Sequence, residues 1–183
     1  MRKRKKLGKR ILAAALALVL TATTVVDAKI PVRGAEEDKE FTVWFNEDAV
    51  TGIAAGQYGS YPIYAGEAMV AKKSPIVVNG KTYYAVQGTS NPKTNGGSPN
   101  GAIPTSGAYL KVVAPGDGII TVYGVAASKP FYATKGTTPA INGETAFTND
   151  TNSHSVSVKE GEEWYFYAQG SKAVFAGVKF ENA

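Results

Sequence analysis

The chain of 183 residues contains no cysteine and one histidine. Without thiols no disulfide can hold the fold, so a hydrophobic core must do so. One imidazole leaves little material for a zinc site or for a nucleophile–histidine pair. Arginine is also scarce: past residue 28, Arg33 is the only one, which weighs against forked recognition of phosphate. Helix signals are few. NEDAVTGIAAGQ (46–57) is the one mid-chain candidate, with Asn46 placed to cap and Glu47 and Asp48 suited to a helix N-terminus. Gly52 and Gly56 reduce it to a short turn.

The basic charge of the whole chain belongs to its first segment. MRKRKKLGKR is a basic run, ILAAALALVL an apolar one, and TATTVVDA ends in small residues. That order reads as a secretory signal peptide over residues 1–28, cleaved after Ala28 or, alternatively, after Ala35. The apolar run is short for a bilayer span, although a retained N-terminal anchor is the other reading. Residues 1–28 hold seven Lys+Arg and one acid, which leaves 13 basic against 14 acidic residues beyond them. A nucleic-acid role built on bulk basicity therefore fails. The expected product is secreted, with no membrane contact once the signal is removed. Residues 29–40 read as a flexible leader, and residues 41–183 are long enough for one domain.

What remains reads as short strands divided by turn residues. FTVWF, YPIYAGEAMVAKK, PIVVNGKTYYAVQ, AYLKVVA, IITVYGVAA, KPFYATK, SVSVKEG, EWYFYAQG and AVFAGVKFE form the series. Asn79-Gly80 between apolar runs is a hairpin signal. Alternation buries Ile120, Val122 and Gly124 and leaves Thr121 and Tyr123 outward. It also buries Val156 with Val158, and Val178 with Phe180. EWYFYAQ has aromatics on both faces, so the strand is either covered twice or carries a binding platform. About nine or ten such strands with no βαβ rhythm predict an all-β, antiparallel, jelly-roll-like sandwich.

Little chemistry is on offer. His154 lies in TNDTNSHS and reads as a solvated imidazole. Glu160, Glu162 and Glu163 lie in a KEGEE turn and read as solvated charge, so the facing carboxylates of a glycosidase are not expected, and the chain is not expected to be an enzyme. Asn149, Asp150 and Asn152 offer hard oxygens, so calcium is conceivable there, although their spacing is not that of an EF-hand.

The binding inventory is richer. Ten Tyr and two Trp supply flat faces that pack on the C–H faces of sugar rings while their polar tips meet hydroxyls. The candidate ligand residues are Tyr61, Tyr64, Tyr84, Tyr123, Lys81, Lys93, Lys111, Asn91 and Asn95. For any single tyrosine, core or rim packing is the plainer alternative. Lysines sharing a face with tyrosines would suit an acidic polymer such as pectate. The stretch QGTSNPKTNGGSPNGAIPTSGAY (87–109) is long for a connection without structure of its own. It reads either as a binding loop at the end of a sandwich or as a tolerated insertion.

KTYYAVQGTSNPKTNGGSPNGAIPTSGAYLKVVAPGDGIITVYGV, KPFYATKG and VSVKEGEEWYFYAQGSKAVFAGVKF together cover about residues 75–180. This pattern resembles the β-sandwich ancillary domains of secreted bacterial pectate lyases and other plant-polysaccharide-degrading enzymes. The resemblance implies carbohydrate binding, or a spacer beside a catalytic domain. It assigns no binding residues, because the shared positions are structural glycines and core positions. The chain holds no catalytic domain, so it reads as a free-standing module or as part of a longer product whose catalytic domain would be a partner. The expected function is non-catalytic binding of plant cell-wall polysaccharide. The rival is a structural or adhesive surface domain that binds proteins.

Overall fold

Asn79 and Gly80 adopt positive φ, 51° and 77°, the geometry a two-residue hairpin needs to match strand twist. The computed structural model describes residues 39–45, 52–94, 102–126, 129–136, 145–147, 152–168 and 170–183, with the backbone alone for 73–75 and 145–147. The proposed signal peptide, the leader up to residue 38 and the capped part of the helix candidate lie outside them. The described residues all belong to the unit Asp38–Ala183.

Fourteen strands occur among the described residues. The first five are β1 (Phe41–Trp44), β2 (Gly56–Gln57), β3 (Ile63–Ala65), β4 (Met69–Val78) and β5 (Lys81–Gly88). β6 (Lys93–Thr94), β7 (Pro104–Ser106), β8 (Tyr109–Val113), β9 (Gly118–Val125) and β10 (Phe131–Lys135) come next. β11 (Thr145–Phe147), β12 (Ser153–Val158), β13 (Glu163–Ala168) and β14 (Val174–Asn182) complete the series. The count exceeds the nine or ten expected because β2, β6, β7 and β11 are pieces of two or three residues in stretches that do not read as strand. No helix occurs among the described residues, nor one long and apolar enough to cross a membrane. Ile53, inside the helix candidate, bridges Met69 instead.

The fold is all-β, and the pairings are antiparallel. One sheet runs β12-β9-β14-β5-β4, with β1 also on β14; the other runs β11-β10-β13-β8-β3-β2. β14 accepts two partners on one edge because a bulge between Phe175 and Gly177 divides it. β5 pairs with Val174 and Phe175, and β1 with Gly177 to Phe180. β9 runs along the opposite edge.

Period-two alternation then sends one set of side chains from each sheet into a shared core. Ile120, Val122, Phe175, Val178 and Phe180 from the β14 sheet join Ile63, Leu110, Val112, Phe131 and Phe166 from the β13 sheet. All ten are fully buried, and burying a side chain of this size stabilises by about 1.5–3 kcal/mol each. This common core makes the two sheets a β-sandwich. The inward sets expected from IITVYGV, SVSVK and VKF are the observed ones.

The described parts of the 20-residue connection from Gly88 to Tyr109, residues 89–94 and 102–108, have structure of their own. Its ends are joined by the Ala108 N–H donating to the Ser90 carbonyl at 3.3 Å, and β6 pairs with β7 inside it. Glu67 clamps its start, accepting both the Ser90 N–H at 2.8 Å and the Ser90 hydroxyl. Burial pushes the Glu67 carboxyl up, but the hydrogen bonds from Ser90 and Thr89 and the charge of Lys172 together outweigh it and hold the group below its ordinary value. Farther along, the Tyr167 hydroxyl donates to the Ala102 carbonyl at 2.6 Å. The later limb is thereby fastened to β13.

Candidate functional site

The outward face of the β13 sheet is built by the same alternation that fills the core. Leu110 and Val112 point inward from β8, so Tyr109 and Lys111 point outward. Trp164 and Phe166 are buried from β13, which puts Tyr165 and Tyr167 on the far side. Tyr64 lies between buried Ile63 and Ala65 of β3. The registers Tyr64↔Lys111 and Tyr165↔Lys111 make one row across three strands, and Tyr109↔Tyr167↔Tyr132 makes the next.

Contacts within these rows are specific. Lys111 Nζ sits 4.6 Å from the centre of the Tyr64 ring and 3.1 Å from Glu163 Oε1. The Tyr165 hydroxyl donates to Glu163 Oε2 at 3.1 Å. Both carboxylate oxygens are therefore engaged. The Tyr109 and Tyr165 rings lie 5.7 Å apart, tilted by 52°. Tyr109 has room because Gly66 lies against its ring, where a Cβ would collide with it. Tyr132 and Tyr167 stack at 5.8 Å. About a quarter of the Lys111 and Glu163 side chains remains accessible, 23% and 25%.

The electrostatics keep the hydroxyls protonated. Burial raises the Tyr165 phenol well above its ordinary value, helped by the charge of Glu163 and the hydrogen bond to it. Burial also raises Tyr109, against the opposing pull of Lys111. A phenol held neutral offers a donor, an acceptor and a flat apolar ring. The face thus combines tilted aromatic planes with a fixed ammonium–carboxylate pair.

Of the residues expected to bind ligand, only Tyr64 and Lys111 meet here. Tyr123 and Lys81 lie instead on the outer side of the β14 sheet. There Trp44 stacks on Tyr83 at 3.7 Å and on Tyr123 at 4.7 Å, above Gly177, which leaves space for the indole. Lys81 Nζ lies 5.0 Å over Tyr83. These rings pack against Ile76, Val78, Ala85, Val174 and Ala176, so they form a second small core. Tyr84 leaves the other side of β5 and is 49% exposed. Tyr61 precedes β3 and rests on Phe41 and Tyr58 at the rim. Asn91 donates its amide to the Gly170 carbonyl at the base of the long connection, and exposed Lys93 follows in β6. The eight of these nine residues that are described thus do not form one site. Asn95, Asn149 and Asp150 lie outside the described residues. Asn152 donates its side-chain amide to the Val77 carbonyl, and among the described residues no cluster of three His, Asp or Glu is placed to hold a metal.

Two expectations, covering three residues, are corrected. His154 is not solvated: it is buried in β12 with Val156 and Val158 on the core face. Its ring stacks on Phe131 at 4.1 Å, and Nε2 donates to the Gly124 carbonyl at 3.0 Å. The polar run before it conceals that the strand starts at Ser153. Glu162 and Glu163 are not loose turn charges either. Glu162 accepts from the Trp164 indole and from Lys135, each at 3.0 Å.

The residues missed in the sequence are Tyr109, Tyr165 and Glu163. A signal existed for the tyrosines, since AYLKVVA and EWYFY alternate cleanly once Leu110 and Phe166 are assigned to the core. No family model matches this chain, and no curated protein matches it.

Proposed function

We propose that this chain is a secreted, non-catalytic carbohydrate-binding module that takes plant cell-wall polysaccharide on the outer face of the β13 sheet. One observation carries this reading: Tyr64, Tyr109 and Tyr165 converge around the Lys111–Glu163 pair on a single sheet face. Aromatic planes of this kind bury the C–H faces of sugar rings, while neutral phenols and an ordered ion pair meet hydroxyls. The basic–apolar–small order of the first 28 residues supports export, and the resemblance to ancillary domains of polysaccharide-degrading enzymes points the same way.

Affinity electrophoresis of the full chain tests the reading, with gels containing xylan, galactan, a soluble cellulose derivative or polygalacturonate, each with and without EDTA. Retardation is expected in at least one polymer, with Tyr165→Ala lowering affinity by about tenfold, equivalent to ~1.4 kcal/mol. Sensitivity to EDTA would assign calcium to the Asn149–Asn152 segment. No retardation in any gel would overturn the proposal and favour protein contact, for which Tyr61, Val70, Val77, Tyr84 and Ile119 are the exposed large apolar side chains among the described residues.

A further inference from the structure

Resting on that reading, we infer that the β13-sheet face selects neutral glycan segments over acidic ones. Pectate would need cations facing the ligand, and three of the described lysines are engaged otherwise. Lys111, the lysine that contacts the Tyr64 ring on this face, is neutralised by Glu163 at 3.1 Å. Lys81 serves the opposite sheet over Tyr83, and Lys72 donates to Gln87 at 2.9 Å.

The pair is held from several sides. Lys111 lies between the Tyr64 ring and Glu163 Oε1, and the Tyr165 hydroxyl occupies Oε2. A uronate carboxylate arriving here would meet an ammonium whose charge is already offset and a carboxylate that repels it. A neutral chain with equatorial hydroxyls avoids that repulsion. It can lay its axial C–H faces on the tilted Tyr109 and Tyr165 rings and direct hydroxyls to the phenol oxygens and the remaining Lys111 N–H groups. The charge balance of the face therefore complements a neutral polymer.

Calorimetric titration of the full chain with xylohexaose, cellohexaose and hexagalacturonate separates the possibilities. At least one neutral hexaose should bind ten or more times as tightly as hexagalacturonate, and its affinity should change less than about twofold when salt is raised from ~0.02 M to ~0.3 M, because no net charge is being screened. Glu163→Gln unmasks the Lys111 ammonium, so hexagalacturonate affinity should rise by roughly three- to tenfold, consistent with a newly available charge-assisted hydrogen bond. A merely structural role for Glu163 would not produce that gain. Equal affinity for the two charge classes, or a salt-sensitive preference for hexagalacturonate, overturns the inference while leaving glycan binding intact. Failure of all three sugars to bind, together with no retardation in any of the polymer gels, overturns the glycan reading itself. The wild-type comparison decides between these results even if Glu163→Gln does not fold.

Discussion

Tyr167→Phe removes one oxygen and nothing else, from a side chain with no accessible surface. The ring keeps its stack on Tyr132, and what is lost is the 2.6 Å hydrogen bond to the Ala102 carbonyl. A bond of this kind contributes about 0.5–1.5 kcal/mol net, and a carbonyl left buried without its partner costs about 1–3 kcal/mol. Ala102 is only half-buried, so water can reach its carbonyl, which keeps the cost near the lower end of the second range. We therefore expect about 1–2 kcal/mol of destabilisation, and for a domain of this size a melting temperature lower by about 3–8 °C. Thermal melts followed by circular dichroism read the first quantity. Hydrogen exchange at residues 102–108 reads the second consequence, faster opening of that limb. Tyr165→Phe is the control, because its partner Glu163 is partly accessible and water can replace the phenol. It should cost less than about 1 kcal/mol. An unchanged melting temperature and unchanged exchange in Tyr167→Phe would refute the claim that this hydroxyl fastens the connection to β13.

Two further expectations concern the core and the second aromatic cluster. Burial holds the His154 imidazole below its ordinary value of 6.5, against the raising effect of its bond to Gly124. The unfolded chain then binds the proton more readily, so stability is full above about pH 6.5 and falls as pH drops below it. Asp117 and Glu162, held below their ordinary values of 3.8 and 4.5, lose their contribution only at lower pH. Melts between about pH 7 and 5 should fall for the wild type and flatten for His154→Gln, and parallel slopes would exclude the imidazole as the titrating group. Gly177→Val pushes a side chain into the Val43 carbonyl and the Trp44 ring. It should cost about 1–3 kcal/mol by overpacking and disturb the near-ultraviolet dichroism of the Tyr83–Trp44–Tyr123 stack, whereas a stable variant with an unchanged spectrum would contradict the proposed packing.

Much of the architecture is legible along the chain because a strand alternates with a period of two and a turn is punctuated locally. IITVYGV shows which of its residues are buried, and Asn79-Gly80 shows where β4 reverses into β5. Register is different. Tyr64, Lys111 and Tyr165 form a row only because β3 and β13 pair with opposite edges of β8, and those residues are about fifty positions apart. A one-residue slip in either pairing would turn the tyrosine to the other face of its sheet. The Gly88–Tyr109 connection poses the same difficulty, since the Glu67 clamp and the Tyr167 anchor come from outside it.

The amino-acid order by itself determined the all-β class, the hairpin, the inward sets of several strands and the absence of any disulfide. Each of these depends on neighbours within a few residues. Only the tertiary structure decided that Lys111 is matched by Glu163, that Trp44 is engaged by Tyr83 and Tyr123, and that the polar-looking His154 belongs to the core. Those outcomes depend on which distant strand lies alongside, and that choice is made by the burial of both sheets at once rather than by any local run of residues.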